Sequence, residues 1–157
     1  MRKDELRYKR KIREAYWSAG YWSEAYEPGI GSGTGYPDLQ LMCPVTKRLL
    51  PVELKIGSVL GGVVYPKEVR GPQTVWHREF WRAGGTSICM IGVEEEKNGW
   101  SSYVVEGPRL KDWEAGWKVE SVYTIHRLHP RPLSVMVDHF LRAGPLEALA
   151  LKAESVI

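Results

Sequence analysis

Cysteine is scarce in this chain: Cys43 and Cys89 are the only two. Their flanks, LMCPV and SICMI, are apolar, so a disulfide scaffold is excluded and buried, reduced thiols are expected. That points to work in the cytoplasm, or in a host cell's cytoplasm if the protein is carried by a phage. Long apolar runs are missing as well. Nothing approaches the roughly 18 apolar residues that a membrane helix needs, so no membrane partner is expected. The first residues are charged and amphipathic, without the apolar centre of a signal peptide. Nucleotide fingerprints are also lacking. Gly31 and Gly33 would need glycine at 36 to complete G-x-G-x-x-G, and Tyr36 stands there; no G-x-x-x-x-G-K-S/T occurs. No small-molecule cofactor is therefore expected. His126, His129 and His139 come without a cysteine pair and make no zinc set. There is no internal repeat and no low-complexity tail.

What is present suits one soluble domain. At 157 residues the chain holds a single core, and 43% apolar with 26% charged residues is ordinary for a globular protein. The net charge of +3 is small, but it is unevenly spread. Arg2, Lys3, Arg7, Lys9, Arg10, Lys11 and Arg13 crowd the start of the chain, against Asp4 and Glu5. Such a basic helix face either meets solvent or neutralises phosphates. Seven Trp and eight Tyr are many for this length, so some are expected at the surface, where aromatics suit binding faces. Glu94-Glu95-Glu96 reads as a solvated turn.

Periodicity orders the elements. Leu6, Ile12, Ala15, Tyr16 and Ala19 recur at helical spacing and predict a helix over 2–19. A short strand over 21–26 and a Gly-rich loop, EPGIGSGTGYP, follow. Residues 36–42 alternate, with Leu39 and Leu41 on one face and Asp38, Gln40 and Met42 on the other. Residues 49–56 alternate too: Leu50, Val52, Leu54 and Ile56 face one way, Glu53 and Lys55 the other. With CPVTKR as the turn, these two strands make a hairpin. Residues 57–71 read as a connection, 72–83 as a helix opened by Pro72, and 86–93 as a strand buried on both faces. Beyond 96, SSYVVEG and KVESVYTIHRL read as strands on either side of a linker with Trp113 and Trp117. Residues 132–153 read as helix, interrupted at Gly144-Pro145. The expected fold class is α/β, in the order α-β-β-β-α-β, with a mixed central sheet of about four strands flanked by helices and a C-terminal extension over 96–157 on the same domain.

Three short segments carry the chemistry: Gly35-Tyr36-Pro37-Asp38, Val52-Glu53-Leu54-Lys55 and Gln73-Thr74-Val75-Trp76-His77. Alternation sets Glu53 and Lys55 on one strand face, and the hairpin brings Asp38 beside them. Two carboxylates and an ammonium on one face suit a bound divalent cation meeting a phosphate better than an exposed ion pair, which is worth at most about 1 kcal/mol. These segments, in this order, resemble the PD-(D/E)XK nuclease superfamily, and more narrowly its VRR-NUC group. More distantly they are similar to archaeal Holliday-junction resolvases. The resemblance covers residues 1–95.

The resemblance implies a restriction-endonuclease-like core over 1–95 and hydrolysis of DNA phosphodiester bonds with Mg²⁺ or Mn²⁺. It implies Asp38, Glu53 and the Leu54 carbonyl as metal ligands, with Lys55 activating water or steadying charge on phosphorus. It implies that Gln73 faces the metal or the DNA, and that an acid of the first helix joins them. Glu5 is the choice, since it shares a face with Tyr8, Ile12, Tyr16 and Ala19, whereas Glu14 lies on the solvent side. Ser32 and Thr34 of the Gly-rich loop, with Arg7, Lys11 and His77, are the candidate DNA contacts. The resemblance also implies branched DNA as substrate and a homodimer as the working form. The alternatives are a nuclease of duplex ends and, from another class, a non-catalytic nucleic-acid-binding or assembly protein.

Overall fold

The computed structural model describes residues 3–25, 35–43, 47–96, 99–126, 133, 135–138 and 140. Helix α1 (Lys3–Ser18) forms where the apolar spacing predicts it, and it buries Tyr8, Ile12 and Tyr16 along one stripe. Asp4 and Glu5 in its first turn complement the helix dipole. Strands β1 (Trp22–Ala25), β2 (Leu39–Met42) and β3 (Leu49–Leu60) follow, with β2 antiparallel to both β1 and β3. After β4 (Val63–Pro66) comes α2 (Gly71–Arg82), which carries the chain back so that β5 (Ile88–Glu96) lies parallel to β3. Only a crossover of this length permits parallel neighbours. Strands β6 (Gly99–Glu106), β7 (Trp117–Lys118) and β8 (Tyr123–Ile125) complete the sheet.

The chain is thus α/β, with a mixed sheet flanked by helices and the expected α-β-β-β-α-β order carrying one added strand, β4. The sheet has eight strands among the described residues, not about four. Six follow the order β1-β2-β3-β5-β6-β8, while β4 and β7 form a side ribbon on the far end of β3. The connection expected over 57–71 is largely this ribbon. Gly61 and Gly62, at φ 57° and 74°, make the two-residue turn between β3 and β4. A Gly-Gly pair between VL and VV was the sequence signal for it. Glu94–Glu96 are not a turn either: they are the exposed end of β5, with Glu94 opposite Trp100. The segment KVESVYTIHRL is broken into β7 and β8 by a 3₁₀ turn at Val119–Ser121. The linker before it carries a 3₁₀ helix at Gly107–Asp112.

The larger hydrophobic cluster joins the α1 stripe to Leu39, Leu41, Leu50, Val52, Leu54, Ile56 and Met90. Each such buried Leu, Ile or Val contributes roughly 1.5–3 kcal/mol. Tyr8 docks against Gly92, where an added Cβ would lie 2.5 Å from its ring, and its hydroxyl meets Ser102 Oγ at 2.7 Å. Leu133, Met136, Val137 and Phe140, at helical spacing, join the same cluster. The interruption expected at Gly144-Pro145 lies outside the described residues. On the opposite face, the face of Glu53 and Lys55, a smaller cluster gathers Val64, Val69, Cys89, Ile91, Tyr103, Val105, Leu110 and Trp117.

Candidate active site

Strand β2 pairs with β3 only as far as Leu39 opposite Val52. Beyond that point the backbone of β3 has lost its neighbour on that side, and Asp38 fills the gap. Its Oδ2 accepts a hydrogen bond from the Leu54 N–H at 2.9 Å. In a strand the carbonyl of a residue points to the same side as its own N–H, so the Leu54 carbonyl faces this gap too. Asp38 is held there from behind. Gly35 lies at φ 87°, and a Cβ on it would overlap the Pro72 carbonyl at the start of α2. Only glycine allows both the backbone angle and the close approach.

Glu53 stands on the face opposite Leu54 and is only 1% exposed. Its Oε1 receives a hydrogen bond from Gln73 Nε2 at 2.5 Å and lies 3.4 Å from Lys55 Nζ. Gln73 is oriented by α2 itself: its Oε1 accepts the Arg70 N–H at 2.9 Å, while its own backbone N–H bonds the Arg70 carbonyl at 3.0 Å. Since that N–H can bond only to the amide oxygen, the amide NH₂ must turn to Glu53. The second oxygen, Oε2 of Glu53, is buried without a hydrogen-bond partner among the described residues. Burial, and then the charge of Asp38, push the Glu53 carboxyl well above the ordinary carboxylate range; Lys55 pulls it the other way. Asp38 is 24% exposed, so the cluster opens to solvent on its side.

This donor set fits a hard divalent cation. Oε2 of Glu53 is a buried oxygen lacking a proton donor, and Asp38 offers its Oδ1 from the open side. Among the described residues no group of three His, Cys, Asp or Glu comes together. The protein would therefore supply few ligands and leave the rest to water, which Mg²⁺ favours. Glu5, expected as a third acid, lies half-buried in the first turn of α1 and joins no such group among the described residues. The α1 side chain beside the cluster is Lys9, one turn further on, whose Nζ lies 3.8 Å from Asp38 Oδ1. A helix rises about 6 Å over four residues, so the one-turn step puts a cation where an acid was expected. Lys9 precedes Ile12 by three residues and Tyr16 by seven, and this spacing was the signal that it flanks the buried stripe.

The expected DNA contacts fare unevenly. His77 is buried, its Nδ1 sharing a 2.6 Å hydrogen bond with Ser87 Oγ, so it faces the interior and not a phosphate. The helical face that carries Gln73 continues inward at His77 and Trp81. Arg7 is engaged by Glu94 in a two-pronged contact at 2.7 and 3.2 Å, with its guanidinium 5.7 Å from the centre of the Trp100 ring. Lys11 is exposed on α1. Ser32 and Thr34 lie outside the described residues. An aromatic chain went unanticipated: Tyr36 meets Trp76 at 5.4 Å between ring centres, and Trp76 stacks on Phe80 at 4.8 Å.

No protein-family model matches the chain, and no curated protein matches it. Among solved structures it is similar to Hjc, a Holliday junction resolvase from the archaeal hyperthermophile Archaeoglobus fulgidus. The two share 14% identity, with 73% of this chain and 95% of that chain covered and a TM-score of 0.44.

Proposed function

We propose that the chain is a divalent-metal-dependent nuclease that hydrolyses DNA phosphodiester bonds at the Asp38–Glu53–Lys55 cluster. The observation that carries this reading is the buried Glu53 carboxylate. Gln73 and Lys55 both attend one of its oxygens, and the other has no partner among the described residues. An acid so placed costs stability unless something binds it. Asp38, Glu53 and the Leu54 carbonyl would hold Mg²⁺ or Mn²⁺. The bound ion would supply Lewis-acid polarisation of the phosphate and a lowered pKa for water. Lys55, 12% exposed, stands where its ammonium can orient the attacking water and offset charge growing on phosphorus. Gln73 holds one Glu53 oxygen in place and leaves the other for the ion.

The motif resemblance supports branched DNA as the substrate class and a homodimer as the working form. A two-fold pair of sites suits a two-fold symmetric junction. The test is a cleavage panel of junction, flap, single-stranded and duplex DNA with Mg²⁺ or Mn²⁺. Asp38→Asn should abolish cutting, and Lys55→Ala should lower it by at least about 100-fold while DNA binding persists. Binding with no cleavage of any substrate in either metal would instead support a nucleic-acid-binding protein that keeps the fold.

A further inference from the structure

Lys9 has no place in the mechanism above, yet it is among the most confined cations of the molecule. Its side chain is 13% exposed, close to the 12% of Lys55, and its ammonium lies 3.8 Å from Asp38 Oδ1. Asp38 is thereby occupied on both oxygens: Oδ2 by the Leu54 N–H, Oδ1 by Lys9. Each acid of the cluster thus has an ammonium beside it, Lys9 at Asp38 and Lys55 at Glu53. A divalent cation entering the cluster must take an oxygen that Lys9 already attends, and must bear the repulsion of a half-buried like charge. The ammonium stem is long and flexible, however, and a phosphate arriving at the open side of Asp38 offers it another anion.

We propose that Lys9 holds Asp38 in the DNA-free protein, weakens binding of the divalent cation there, and transfers to a phosphate when DNA binds. It is a positioning residue for the cation and a phosphate contact for the substrate. Cation and DNA then favour one another, and by linkage the effect is reciprocal. The inference rests on the metal-site reading given above.

The test is Mn²⁺ titration calorimetry on the DNA-free full chain and its Lys9→Gln, Lys9→Arg and Asp38→Asn variants, each checked for native circular dichroism. Lys9→Gln should bind Mn²⁺ about ten-fold more tightly than the native chain, Lys9→Arg should bind as the native chain does, and Asp38→Asn should not bind. Unchanged or weaker binding by Lys9→Gln, with binding lost in Asp38→Asn, overturns the role of Lys9 and leaves the metal site standing. Binding that survives Asp38→Asn overturns the metal site, and this inference with it. A second measurement uses fluorescence anisotropy on a synthetic four-way DNA junction in EDTA, across a salt series. Lys9→Gln should reduce the slope of log affinity against log salt by about one. An unaltered slope overturns the transfer to phosphate.

Discussion

At the scale of single residues, Glu53 of β3 and His77 of α2 are both buried and titratable, yet their surroundings differ. Glu53 keeps a buried oxygen without a hydrogen-bond partner among the described residues, beside the partly exposed Asp38. His77, one turn along α2 from Gln73, is closed in by Ser87 and by Gly107, where even a Cβ would collide with the Ser87 hydroxyl. Trp81 Nε1 donates to Ser87 Oγ at 3.0 Å, so the serine hydroxyl links the indole to His77 Nδ1. Burial, and then Lys55, depress the His77 pKa to about 4. Its imidazole is therefore neutral in the native state and charges near the ordinary value once unfolded. The unfolded chain binds the extra proton first, so stability is whole above the unfolded pKa and falls as pH drops toward the native one. Between about pH 7 and pH 5 the loss should be roughly 2 kcal/mol. Urea titrations at the two pH values check this: His77→Gln, which cannot titrate, should lose correspondingly less over the same interval.

At the scale of elements, the site depends on how the Gly35–Asp38 segment meets the first turn of α2. Neither is a regular strand-to-strand or helix-to-sheet contact; the backbone of one is pressed on the backbone of the other. Gly35→Ala should therefore both strain the backbone and push Asp38 away from Leu54. A loss of about 2–3 kcal/mol is expected from overpacking plus the positive φ. Cleavage should fall far more than thermal stability does, since a displacement near 1 Å can cost about 100-fold in rate. Melting temperature and single-turnover rate, measured together on this variant, separate the two effects. The Gly-Gly turn of the β3–β4 ribbon lies at the opposite end of β3, and a variant there serves as the control.

At the scale of the whole molecule, the sheet does not stop where the motif resemblance stops. Strand β6 pairs along the full length of β5, β8 pairs with β6, and the helical residues Leu133, Met136, Val137 and Phe140 cover the same core as α1. Phe140 is 3% exposed and lies with its ring centre 6.4 Å from that of Tyr123. Phe140→Ala should cost about 3–5 kcal/mol, measurable by urea denaturation, while leaving the Asp38–Glu53 geometry untouched. A stability unchanged within about 0.5 kcal/mol, the range of ordinary surface substitutions, would show that this helix does not complete the core.

The sequence by itself determined the elements with a strong period and the shared strand face of Glu53 and Lys55. Alternation along β3 separates Glu53 and Lys55 from Val52, Leu54 and Ile56 whatever the partners of the strand. The helical stripe of α1 likewise follows from spacing alone, and Gln73 at the opening of α2 lay within reach of the motif. Other features were decided only by the tertiary structure, because they depend on which backbone is missing or near. Asp38 reaches Leu54 because β2 begins only at Leu39 and leaves that stretch of β3 unpaired on its side. Lys9 reaches Asp38 from α1, a helix that docks on the sheet through Tyr8 against Gly92. His77 is lost to the interior because the chain returns through Gly107 across its ring. Such choices are made between residues far apart in the chain, where no local period can signal them.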